Sequence, residues 1–158
     1  MGIDWEHDST SVLIASVLDD QPRVAEHLAV AHEQAWLAVD PVLLELARLR
    51  VAMLLGNEAE LSVRTPTAVA AGLDEATVRE LSLWPTSERF GPTERACLDF
   101  TEQWVMDVAS LSDEQAAAVS AAIGPQGLAH FASALLVLEQ RQRLRLAWTR
   151  LFAPEETP

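Results

Sequence analysis

Apolar residues recur along the chain at three- and four-residue spacing, the signature of helices with one buried face. No run alternates with a period of two, and no Asn-Gly or Asp-Gly hairpin signal occurs. The pattern therefore predicts an all-α protein. Ser9 is placed to cap a first helix carrying Val12, Leu13, Val17 and Leu18, which Asp19-Asp20-Gln21-Pro22 breaks. A second helix runs from about Pro22 to Trp36, with proline in its first turn. Asp40 caps a third, with Pro41 at its first position. That helix is apolar nearly all round, through Leu43, Leu46, Leu49, Val51, Met53 and Leu54, so it belongs at the centre. Glu45, Arg48 and Arg50 interrupt it, and Gly56 loosens its end.

Beyond it the stretch from Asn57 to Ala71 reads as helical, but Pro66 removes a backbone donor, and Thr65-Pro66 fits the start of a separate short helix. Gly72 is a stop signal, and Asp74 caps a helix to about Leu83. Pro92 opens the helix of Ala96, Cys97, Phe100, Trp104 and Val108. Ser112-Asp113-Glu114-Gln115 forms a capping box for a helix ending near Gly124, and Pro125 opens a last helix reaching about Phe152. The expectation is a single domain, residues 1–158, of about seven to eight helices, with no linker long enough to divide it and no internal repeat.

A chain of 158 residues with 49% hydrophobic residues buries a real core. Its longest apolar run falls short of the roughly 18–20 residues that a membrane span needs. The first residues are acidic, without a basic segment leading into an apolar one, so a cytoplasmic protein with no membrane partner is expected. The net charge is −13, and all 11 basic residues are arginines. Such a surface repels phosphate backbones, so no nucleic-acid partner is expected and the charge reads as solubility.

Cys97 is the only cysteine, which rules out an intrachain dithiol. It shares a helix face with Ala96, Phe100 and Trp104 and reads as core filler rather than a nucleophile. His27 and His32 are five apart and off a common face, His130 stands alone and His7 is in the tail, so no metal is expected. Either helix-two histidine fits a pocket wall. Trp36, Trp84, Trp104 and Trp148 read as core or interface anchors, with the wall of a pocket for a flat organic substrate as the alternative.

The segment Glu45-Leu46-Ala47-Arg48-Leu49-Arg50-Val51-Ala52, followed by Leu55-Gly56-Asn57-Glu58-Ala59-Glu60-Leu61 and closed by Ala70-Ala71-Gly72-Leu73, resembles the carboxymuconolactone decarboxylase and alkyl hydroperoxidase D-like superfamily. The stretch from Phe90 to Phe100 and the last helix to Trp148 share the likeness, which covers most of residues 40–148. The resemblance implies an alkyl hydroperoxidase D-like helical bundle that assembles into a trimer- or hexamer-like homo-oligomer. In the redox branch the helix after the glutamate carries C-x-x-C-x-x-x-H. Those positions are Asn57, Glu60 and Arg64 here, while the upstream acid matches as Glu45. The decarboxylase branch carries L-G-x-E-x-E-L-x-x-H, which residues 55–61 match closely, with Arg64 again at the histidine position. The chain therefore sits nearer the non-redox branch.

Two readings follow. In the first, the protein is an enzyme without a cofactor that moves protons at carbon in a small organic acid or cyclic ketone by decarboxylation, isomerisation or cyclisation. Glu45, Glu60 and Arg64 would be its catalytic groups, and Arg48, His32, Trp36 and Trp84 would bind substrate. Glu45 on an apolar helix is either a general acid or base whose pKa burial raises, or the partner of Arg48 or Arg64. Glu60 and Arg64 are four apart, as in a helical ion pair, and Arg64 alternatively clamps a substrate carboxylate. Arginine stabilises an anion but cannot shuttle a proton as the family's histidine would. In the second reading the protein kept the fold and lost the chemistry, acting as a ligand-binding or assembly protein. Residual thiol chemistry at Cys97 is a weaker third.

Overall fold

A computed structural model describes residues 8–152. Nine α-helices follow one another among them, joined by short turns: α1 (Ser9–Val17), α2 (Pro22–Ala38), α3 (Pro41–Leu55), α4 (Glu58–Leu61), α5 (Pro66–Ala70), α6 (Glu75–Arg79), α7 (Pro92–Asp107), α8 (Asp113–Ile123) and α9 (Pro125–Leu151). No strand occurs among the described residues. Six helices have nine residues or more; α4, α5 and α6 are single turns or little longer, so the expected number depends on how those turns are counted.

Helix α3 is central, as its all-round apolar pattern predicted, and packs against α7, α9, α4 and α5. Asp40 accepts from the backbone N–H groups of Val42 and Leu43, both at 3.0 Å, and Pro41 occupies the first turn. Gly56 closes it in the left-handed region at φ 67°, where a side chain would be strained. One side of α3 joins a core of Leu46, Leu49, Leu81, Trp84 and Phe90. Another meets Phe100 and Phe131, and a third meets Trp36 and Leu138.

Several boundaries differ from the sequence expectation. Asp8, not Ser9, caps α1, accepting from the N–H groups of Thr10 at 2.8 Å and Ser11 at 3.2 Å. The helix expected after Asp74 ends at Arg79 and continues as a 3-10 turn over Leu81–Leu83. The Ser112–Gln115 capping box forms as expected. Between α4 and α5 the chain is non-helical over residues 63–65, the break that Pro66 signalled. No single helix among the described residues is long and apolar enough to cross a membrane.

Candidate functional site

The break between α4 and α5 makes the centre of the site. Thr65 is extended (φ −70°, ψ 122°) and its side chain does not cap α5. It turns instead to α3, where its hydroxyl donates to Glu45 Oε2 at 2.7 Å and its N–H donates to Oε1 at 3.0 Å. Arg48, one turn along α3, grips the same carboxylate with Nε at 2.9 Å and Nη2 at 2.8 Å. Glu45 is wholly buried and Arg48 nearly so. Burial works against the Glu45 charge, yet the Arg48 guanidinium and the two Thr65 bonds outweigh it and hold the carboxyl below its usual range.

Arg48 has no donor to spare. Nη2 also donates to the Val63 carbonyl at 2.8 Å, and Nη1 donates to the Glu60 carbonyl at 2.9 Å and to Glu60 Oε2 at 2.7 Å. All five guanidinium hydrogens are therefore committed to the protein. The pair acts as a clamp: α3 holds Arg48, and Arg48 holds the turn of α4 and the chain leading out of it.

Beside the clamp lies a cavity of about 120 Å³, with Asp8, His32, Glu60, Thr65, Arg141 and Gln142 among its walls. A dry cavity of about 150 Å³ admits benzene, so this one is of small-molecule size. Glu60 accepts one bond on each oxygen, from the Thr10 hydroxyl at 2.7 Å and from Arg48. Among the described residues half of its lone-pair positions stay open. His32 accepts on Nε2 from the Trp36 indole N–H at 3.1 Å. Burial first, then the charge of Arg141, pushes its pKa down to about 3, so the imidazole is neutral at neutral pH. Gln142 donates to the Arg48 carbonyl at 2.9 Å, while its Oε1, fully buried, has no partner among the described residues.

Helix α1 closes one side of the cavity. Asp8 forms an ion pair with Arg141 and accepts from the Ser11 hydroxyl at 2.6 Å. Arg145 donates to the hydroxyls of Ser9 at 2.7 Å and Thr10 at 2.6 Å. Burial opposes the Asp8 charge, but Arg141, Ser11 and Thr10 together keep the carboxyl below its ordinary range.

Of the residues singled out in the sequence, Glu45, Arg48 and Glu60 come together and His32 joins them at the cavity. Trp36 stands behind His32 as its hydrogen-bond partner, buried in the α2–α9 core. Arg64 is a correction. It points away from the cavity, donating to Glu75 at 2.8 Å and to the carbonyls of Leu61 and Val63. The expected Glu60–Arg64 pair does not form, because α4 ends at Leu61 and four-residue spacing no longer means a shared face. Trp84 takes its core-anchor reading rather than the substrate-binding one: it fills the core beside Leu81 and Phe90 and donates to Glu102, away from the cavity. Asn57 is buried at the cap of α4. Cys97 is buried beside Phe100, with its thiol pushed up to about 12 by burial and by Glu94, the behaviour of core filler. Among the described residues no three His, Cys, Asp or Glu side chains gather as metal ligands would.

Asp8, Thr10, Thr65, Arg141 and Gln142 were not anticipated. A signal for two of them exists. The buried stripe of α9 runs Phe131, Ala134, Leu135, Leu138, Arg141 and Gln142. The three- and four-residue spacing that marks the leucines as core carries on into the two polar residues.

Comparison with known proteins follows the same lines. A sequence search of curated proteins finds no significant match. The fold is similar to that of a protein of unknown function from Agrobacterium tumefaciens, suggested there to be the antioxidant defence protein AhpD. The TM-score is 0.71 at 13% identity, over 90% of this chain and 97% of that one. The architecture is thus the alkyl hydroperoxidase D-like helical bundle that the motifs implied. The model of the carboxymuconolactone decarboxylase family matches residues 21–103, from the start of α2 through most of α7, and the chain belongs to that family.

Proposed function

We propose that the protein is an enzyme that needs no cofactor and moves a proton at carbon in a small organic acid or ketone, with Glu60 as the proton acceptor. One observation carries this reading: Glu60 lines the small cavity with half its lone pairs open, while Glu45 has four hydrogen bonds and Arg48 has none left to offer. A general base needs a free lone pair within reach of the substrate. Glu45 lacks one and serves to position Arg48, which with Thr10 holds Glu60 in place. Neutral His32 adds a polar wall without a competing charge.

The test is exchange of solvent deuterium into carbon acids, followed by proton NMR with a panel of small ketones, keto acids and hydroxy acids. The wild type should catalyse exchange at the carbon beside the carbonyl of at least one compound. Glu60→Gln should slow it by about a hundredfold or more, the scale of a lost general base, without lowering the melting temperature by an amount that would explain the loss. Equal rates for the variant and the wild type would reject Glu60 as the base.

A second reading, a ligand-binding member without catalysis, draws on the mutual saturation of Glu45 and Arg48. It predicts compounds that bind in the cavity, seen by saturation transfer, with no exchange above background.

A further inference from the structure

The cavity holds a cation whose one charged partner among the described residues comes from a different part of the fold. Arg141 is buried on α9, and every hydrogen bond it makes among the described residues leaves from Nη2, to Asp8 and to Ser11. Nε and Nη1 are left over. Next to it, Gln142 Oε1 is a buried acceptor with no partner among the described residues. Both residues line the cavity, and so does Asp8.

Asp8 is therefore in two roles at once. Its Oδ1 caps α1, and its Oδ2 sits on Arg141. The capping role needs only an acceptor oxygen, which asparagine supplies equally well. The Arg141 role needs the charge. A carboxylate on a guanidinium is also how a small acid is held in a protein pocket.

We infer that Arg141 is the ligand-recognition residue of the cavity, that the ligand is a small organic acid bearing a hydrogen-bond donor, and that Asp8 holds the acid's place on Arg141 while the cavity is empty. The acid group takes over the guanidinium, the Gln142 amide turns its buried Oε1 to the donor, and Asp8 is released. Release of Asp8 loosens the N-terminal end of α1, whose other polar ties are Arg141 to Ser11, Thr10 to Glu60, and Arg145 to Ser9 and Thr10. This inference rests on the cavity being the functional site, as proposed above, and adds what it selects.

Three probes separate charge from donor: lactate has both, propionate lacks the hydroxyl, and lactamide lacks the charge. Binding to the full chain at neutral pH is followed by calorimetry or by NMR titration. Lactate should bind more tightly than either analogue. Asp8→Asn keeps the cap and removes the competing charge, so lactate affinity should rise roughly tenfold, the scale of one charge-assisted hydrogen bond, with lactamide within about twofold. Arg141→Gln should bring lactate down to the level of lactamide. Lactate no tighter than lactamide, no binding by any probe, or a folded Asp8→Asn whose lactate affinity is unchanged or lower would each overturn the inference. The Asp8→Asn result decides the matter alone if Arg141→Gln does not fold. The two proposals fail separately. Exchange that depends on Glu60 with neutral and anionic probes bound alike removes this inference and leaves the catalytic one. Charge-selective binding with no exchange does the reverse.

Discussion

Thr65 and Glu45, 20 residues apart, are joined twice: the hydroxyl and the backbone N–H of Thr65 each donate to a different oxygen of the same buried carboxylate. With Arg48 on the other side, the carboxylate is surrounded by donors and its charge is held where water cannot reach it. The arrangement joins two stretches of chain through one carboxylate. It locks the irregular chain between α4 and α5 onto the central helix and so sets the position of Glu60.

Removing one member of the ion pair should therefore act on stability first. Glu45→Gln leaves the buried Arg48 charge short of its main partner and should cost about 3–5 kcal/mol in urea or thermal unfolding. The double change Glu45→Leu with Arg48→Met removes both charges and should cost less than Glu45→Gln alone if desolvation dominates. A double variant worse than the single one would mean that Arg48 matters chiefly through its bonds to Glu60 and Val63.

Thr65 allows a finer test of the same clamp. Thr65→Val keeps the shape and the N–H bond but leaves Glu45 Oε2 one donor short, a loss of about 1–3 kcal/mol for a bond to a buried charge. Thr65→Ser restores the hydroxyl and should recover most of it. Denaturant midpoints at constant slope provide the measurement.

His32 gives the stability curve an acid limb. Its folded pKa is about 3, against an ordinary value of 6.5. Between those values the unfolded chain takes up a proton that the folded chain refuses. Stability must therefore fall as pH drops from about 6.5 toward 3. Asp8 and Glu45, whose folded pKa values are depressed, contribute stability above their unfolded values near pH 4 and lose it only below that, so the two effects separate. His32→Gln keeps an acceptor for the Trp36 indole and should flatten the slope between about pH 6.5 and 5.5, above the range in which the carboxylates titrate. An unchanged slope would show that the unfolding proton uptake lies elsewhere.

Cys97 should be silent in the native protein. With its thiol pushed up to about 12 and buried among Phe100 and Phe131, it carries almost no thiolate at pH 8. Labelling by a disulfide reagent should proceed only as fast as the protein unfolds, and denaturant should speed it in step with the unfolded fraction. Rapid native labelling would contradict the core position.

The helices were legible because the signals for them are local. Asp40 with Pro41, the Ser112–Gln115 box, Gly56 and the spacing of leucines each act within one or two turns, and each formed in the place expected. The clamp was half legible: three residues apart on an apolar helix, Glu45 and Arg48 were natural partners, but nothing nearby in sequence called for Thr65. Arg64 stands at the family's histidine position, but the helix that would carry it ends three residues earlier, and of the two readings open for Trp84 the core anchor is the one that formed.

The sequence by itself determined that this is an all-helical protein with α3 at its centre, a member of a recognisable family and without that family's thiol pair. Hydrophobic spacing, caps and motif order are properties of short stretches, and short stretches carry them whatever the rest of the chain does. Only the tertiary structure decided which carboxylate is buried in bonds and which is open, and that Asp8 at the head of α1 meets Arg141 near the far end of the chain. Those pairings depend on how α1, α3 and α9 pack. A polar side chain buried by packing takes whichever partner the fold brings within reach, because leaving its charge or hydrogen-bonding group unpaired would cost more than any local preference could return.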